Sequence, residues 1–220
     1  MTDLLDIVGS TVDETIERLN AKKFTPDPIA GQHFSRIVSL MSSAYKRHGY
    51  IIEKAILEQL RLCPDLEAWE DREFQVSDAA DHVINTAIST PESLDETNLT
   101  YQNGQRTLQV DAIVFDKRDN SLKAYEIKRG NGLHDAGKRR SIFRDILCTK
   151  VLLKSYGQQR GFEPTSVASH IIFYYGKLSI PRPYALTKDD LDEHFRWEVL
   201  APVEGINDHF RDRLFQILSA

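Results

Sequence analysis

Two apolar-rich runs, Thr107–Phe115 and Leu122–Lys128, flank six polar residues from Asp116 to Ser121, and this arrangement constrains the fold more than any other stretch of the chain. Both runs are rich in β-branched, aromatic and other apolar residues, and the polar insert has the composition of a turn, so the segment predicts an antiparallel β-hairpin. Leu108, Val110, Ile113, Val114, Phe115, Tyr125 and Ile127 make both strands look interior. A hairpin with that much apolar surface needs covering layers, and the flanking sequence supplies helices.

Upstream, Val12, Ile16 and Leu19 follow helical spacing after a start at Ser10 with Asp13 and Glu14, which predicts a short N-terminal helix. From Ile29 to Leu62 apolar residues recur with a period near that of a helix, with Gly49 expected to divide the segment in two and Pro64 to end it. Glu73–Val76 reads as a short strand, residues 78–88 as helix or loop, and 89–105 as an exposed polar loop. Downstream, Arg140–Tyr156 reads as an apolar helix closed by Gly157, and Ser169–Tyr175 as a buried strand. Thr187 suits a helix cap with Asp189 and Asp190 in the first turn, Arg196–Leu200 an edge strand, and Ile206–Leu218 a last amphipathic helix. The order predicts an α/β protein with a mixed sheet flanked by helices. At 220 residues the expectation is one globular domain, with residues 1–46 forming a helical extension packed on a core from 47 to 220.

Composition narrows the class. Hydrophobic residues make up 41% and charged residues 28%, which excludes a disordered or fibrous chain. No apolar run reaches the roughly 18 residues of a membrane span, and MTDLLDIVGS lacks the basic start and apolar run of a signal peptide, so a cytoplasmic protein without membrane partners is expected. Cys63 and Cys148 are too few and too far apart for a metal site or disulfide framework and read as buried, reduced thiols. The net charge is −5, yet residues 117–160 hold twelve Lys/Arg against four Asp/Glu, a local +8 that leaves −13 elsewhere. One face can therefore attract a polyanion.

Chemistry concentrates on the hairpin. Glu126 and Lys128 are two apart on one strand and project to the same side, while Asp111 sits across the turn on its neighbour. Two carboxylates and an ammonium on one patch suit phosphodiester hydrolysis. Mg²⁺ takes hard oxygen ligands and is held by one or two carboxylates plus a substrate phosphate, and the ammonium can orient a water or stabilise developing charge. The main-chain carbonyl of Ile127 is a further candidate ligand. An Asp followed at variable distance by Glu-x-Lys occurs by chance in chains of this size, so the apolar surroundings carry the weight: an unpaired carboxylate among them is expensive. His48 and His170 read as surface or satisfied core histidines, and Trp69 and Trp197 as packing residues.

Asp111 followed by Glu126-Ile127-Lys128 on adjoining strands resembles the catalytic signature of the PD-(D/E)xK nuclease superfamily, to which restriction endonucleases and junction resolvases belong. The similar part runs from about Ser43 to Gly176. Val110 stands where the family's proline would be. The resemblance implies a restriction-endonuclease-like fold and a Mg²⁺-dependent DNA endonuclease, with Mn²⁺ able to substitute, in which Asp111, Glu126 and the Ile127 carbonyl hold the metal and Lys128 assists attack. It further implies that Glu53, in GYIIEKAILEQL, joins the site from the first core helix. Arg140 and Arg144, on the helix after the catalytic strands, are candidates for DNA phosphate contact. A type II restriction endonuclease acting as a homodimer is the role the resemblance favours. A structure-selective repair, recombination or mobile-element nuclease, and a non-catalytic DNA-binding module of the same fold, are the competing expectations.

Overall fold

The structure, a computed structural model, describes residues 3–219, with Gln32 and His33 by their backbone alone. The chain divides into two compact units, one formed by residues up to Gln59 together with those from Glu198 onward, the other by Leu60–Trp197.

The first unit is helical. Helix α1 (Leu4–Ala21) begins at Asp3, whose carboxylate caps the Leu5 amide at 3.2 Å, so the helix starts well before Ser10. Its buried Leu4, Val8, Val12, Ile16 and Leu19 recur at spacings of four and three residues, a stripe in which each side chain contributes about 1.5–3 kcal/mol on burial. Helix α2 (Gly31–Arg61) runs uninterrupted through Gly49; a single interior glycine weakens a helix by only about 1 kcal/mol and does not divide it. The C-terminal helix, numbered α6 below, spans Leu200–Leu218, starting six residues earlier than Ile206, and packs on α1. Asp13 on α1 receives Arg213 Nε at 2.7 Å, and Lys54 on α2 donates to Thr11 at 2.8 Å.

The second unit carries a five-stranded mixed sheet in the order β1-β2-β3-β4-β5. Its elements are β1 (Leu66–Val76), α3 (Asp78–Ala87), β2 (Arg106–Asp116), β3 (Ser121–Lys128), α4 (Ala136–Gln159), β4 (Ser166–Phe173), β5 (Ala185–Thr187) and α5 (Leu191–Phe195). The first three strands form an antiparallel meander. Strands β3, β4 and β5 are parallel, and α4 makes the crossover that a parallel pair requires. On one face Leu122 and Ala124 pack with Leu147, Val151 and Leu152 of α4 and with Ala80 and Ile84 of α3.

Several boundaries depart from the sequence expectations for identifiable reasons. Strand β1 is eleven residues long, but two register irregularities around Asp71 break its alternation and conceal the half before Glu73. Helix α4 continues past Gly157, where an added Cβ would lie 2.6 Å from Leu122 Cδ2 and 2.9 Å from Pro164 Cγ; this glycine permits close packing, and Gly161, at φ +85°, is the left-handed residue beyond the helix. Residues 196–200 are not a strand. Arg196 adopts φ 52° after α5, and its guanidinium pairs with Asp116 and Asp119 at 2.6 and 2.7 Å. Thr187 does cap, in a capping box with Asp190. The loop from 89 to 105 is partly docked: Leu94 is buried, and the Leu99 amide donates to Val151 O at 2.7 Å. Both cysteines are free and buried. No helix among the described residues is long and apolar enough to cross a membrane.

Candidate active site

The site forms where two strands part. The β2–β3 ladder runs from Asp116↔Ser121 to Ala112↔Tyr125 and stops there. Beyond that point β2 stays with β1, pairing Asp71↔Val110, while β3 stays with β4 as far as Lys128↔Phe173. The next opposed residues in this register are Asp111 and Glu126. Because the main chains have separated, the Ile127 amide has a side chain as its partner: it donates to Asp111 Oδ2 at 2.7 Å.

Alternation places Glu126 and Lys128 on the same face of β3. Lys128 Nζ lies 2.5 Å from Glu126 Oε1 and 3.9 Å from Asp111 Oδ2, so the ammonium bridges the carboxylates. The Asp111 side chain is only 7% exposed, while those of Glu126 and Lys128 are about one-third open, at 29% and 32%. Burial, followed by repulsion from Glu126, pushes the Asp111 carboxyl up to about 6, against the opposing pull of Lys128 and the Ile127 amide.

The gap opened by the parting strands holds a cavity of about 220 Å³ lined by residues of β2, β3, β4 and α4, Glu126 among them. Beside it, Arg106 reaches Asp145 at 2.6 Å and Asp81 at 2.9 Å, and Arg144 also pairs with Asp81 at 2.9 Å, tying α3, β2 and α4 together. The charge of Arg144 is thus already answered within the protein. Arg140 is exposed on α4, and Lys150 is buried against Asp95.

The strands therefore bring together Asp111, Glu126, Lys128 and the backbone of Ile127. Glu53 is half-buried on α2 in the helical unit. Lys138, the first residue of the run Lys138-Arg139-Arg140, lines the same cavity as Glu126. Its signal was positive charge in the first turn of a helix, against the dipole. The histidines are satisfied elsewhere: His48 bonds Asn207 at 2.9 Å and stacks on Phe210, and His170, held down to about 4 by burial, contacts Pro183 O at 3.2 Å.

Among the described residues no cluster of three or more His, Cys, Asp or Glu side chains is placed to hold a metal ion. A site for Mg²⁺ does not need one, since that ion keeps several waters and takes one or two carboxylates plus substrate oxygens. The donor set at the parted strands fits this demand. A buried carboxyl raised by a neighbouring carboxylate is also an arrangement that a divalent cation would relieve. No family model, no curated protein and no solved structure matches the chain.

Proposed function

We propose that the protein is a Mg²⁺-dependent DNA endonuclease with a restriction-endonuclease-like core. One observation carries the reading: Asp111, Glu126 and Lys128 converge where β2 and β3 separate, with the acidity of Asp111 weakened by burial and then by Glu126. A structural ion pair has no need of a second carboxylate beside the first, and a buried carboxyl beside a like charge is an arrangement that clusters at functional sites.

A divalent cation held by Asp111 and Glu126, with the Ile127 carbonyl as a further donor, would polarise the phosphoryl oxygen and acidify a water. The chain's own groups set the rest. The Ile127 amide fixes the Asp111 carboxylate in orientation. Lys128, held between the carboxylates, is positioned to orient the attacking water and to offset charge building on the phosphate oxygens. Arg140, exposed on α4, and Lys138 beside Glu126 supply positive charge for the DNA backbone. A homodimer would place one such site on each strand of a duplex.

A type II restriction enzyme and a structure-selective nuclease share this chemistry and differ in substrate. Cleavage in Mg²⁺ of a plasmid, a branched duplex and a single strand separates them: discrete plasmid fragments support restriction, and cutting confined to branched or single-stranded DNA supports the alternative. The reading requires Glu126→Gln to abolish whichever activity is found. Absence of cleavage on all three substrates in Mg²⁺ and Mn²⁺ would overturn it in favour of a DNA-binding module.

A further inference from the structure

The cavity between the parted strands has a chemical character of its own. Its walls include Leu108, Val110 and Ile146, and its polar lining includes Glu126, Lys138 and Ser169. Ser169 lies on β4 opposite Ala124 of β3 and is only 5% exposed, yet its hydroxyl makes no hydrogen bond to any described residue. Its oxygen is open to the cavity and not sealed in the core, so a group that enters there can supply the bond. The neighbouring Thr149 hydroxyl, in contrast, is engaged with Asp145 O at 2.9 Å. The cavity thus runs from exposed Lys138 to an unpartnered hydroxyl at a buried position.

At about 220 Å³ it is smaller than the roughly 300–1,000 Å³ typical of sites for whole drug-sized ligands, so it takes one ring system, not an extended chain. Aliphatic walls suit the flat faces of a heteroaromatic ring, and the Ser169 hydroxyl can donate to or accept from its edge. Lys138 supplies a cation where a phosphate attached to that ring would emerge. These are the features with which proteins hold a base taken out of its stack: apolar contact on the faces, polar contact at the edge.

We infer that the cavity receives an unstacked nucleobase of the strand whose phosphate is presented to Asp111 and Glu126. The assignment rests on the nuclease reading for the position of the phosphate. Extracting a paired base consumes free energy, so the protein should favour single-stranded or mispaired substrates over perfect duplex.

The test uses oligonucleotides carrying 2-aminopurine at every second position, as a single strand and as a fully paired duplex, bound by the full chain in Ca²⁺ with intactness checked on a gel. Unstacking into aliphatic surroundings raises 2-aminopurine emission. The expected result is a rise with the single strand at saturating wild-type protein, and tighter binding of the single strand than of the duplex. Ser169→Val removes the hydroxyl and narrows the cavity with a residue that strands favour, and should reduce the rise. Ser169→Ala should keep it with roughly 3- to 10-fold weaker binding, the value of one hydrogen bond. Lys138→Ala, at an exposed position, should weaken binding while leaving the rise intact, and it guards against misfolding as the cause of a loss. No rise with wild-type protein, or an undiminished rise in folded Ser169→Val, would overturn the assignment. A rise without cleavage in Mg²⁺ or Mn²⁺ would overturn the nuclease reading and keep the base pocket; cleavage abolished by Asp111→Asn but unaccompanied by a rise would do the reverse.

Discussion

The Asp111 carboxylate accepts a hydrogen bond from the Ile127 amide at 2.7 Å, at the first position beyond the end of the β2–β3 ladder. That bond does in side-chain form what a main-chain carbonyl would do in a continuing ladder. It lets the strands part without orphaning a buried amide, and it fixes a carboxylate beside the opening. The same relationship makes Asp111 a burden on stability, because the amide and Lys128 do not fully offset burial and the charge of Glu126.

Asp111→Asn should therefore stabilise the fold at neutral pH. The folded-state value of about 6 lies above the ordinary 3.8, so the ionised side chain opposes folding fully above about pH 6, and the penalty fades as pH falls towards 4. Its size is of order 1–3 kcal/mol. Thermal unfolding of wild type and variant at pH 8 and at pH 4 checks this: the variant should melt higher at pH 8, and the advantage should vanish at pH 4.

Divalent metal should bind to the ionised form of this site and compete with protons for it. Mg²⁺ affinity should fall below about pH 6, by up to about tenfold per pH unit, while remaining nearly constant above pH 7. Calorimetric titration at pH 5.5 and 7.5 measures the difference. In the same experiment Glu126→Gln should lose most of the affinity at both values.

Lys128→Ala removes the cation that holds Asp111 down, so the acid limb of the cleavage profile should move to higher pH and the maximal rate should fall by about 10²- to 10³-fold. Single-turnover rates from pH 5 to 9 read both effects. A fall in rate with an unmoved acid limb would separate the lysine from Asp111.

Arg140 and Arg144 should behave differently despite lying one turn apart on α4. Arg144→Ala breaks the pair with Asp81 and should lower stability by about 1 kcal/mol, since both side chains are partly open to water. Arg140→Ala, at an exposed position, should leave the melting temperature unchanged and weaken DNA binding with a reduced salt dependence. Fluorescence anisotropy across a salt series, with a thermal melt of each variant, tells them apart.

The hairpin and its three chemical groups were legible because two signals coincided: strands apolar enough to be interior, and charged residues at positions where interior strands rarely carry them. The meander's first strand was less legible, since irregular pairing around Asp71 destroys the alternation by which strands are recognised. Gly49 and Gly157 misled for a related reason. A glycine inside a helix looks the same in sequence whether it ends the helix, is merely tolerated, or makes room for Leu122 and Pro164. Ser169 could not be singled out at all, because its significance lies in a cavity that exists only once β2 has separated from β3. Arg144 was visible as a charge on the right helix, but its partner Asp81 lies on α3, in a segment read only as helix or loop.

The central claim is that Asp111 and Glu126 form a metal-dependent hydrolytic centre, and the conversion of supercoiled plasmid to nicked or linear product tests it most directly. Wild-type protein should convert the plasmid in Mg²⁺ and not in EDTA, and Asp111→Asn, folded and at least as stable, should convert none. Cleavage by Asp111→Asn at the wild-type rate, or wild-type cleavage indifferent to EDTA, would contradict the assignment of these carboxylates.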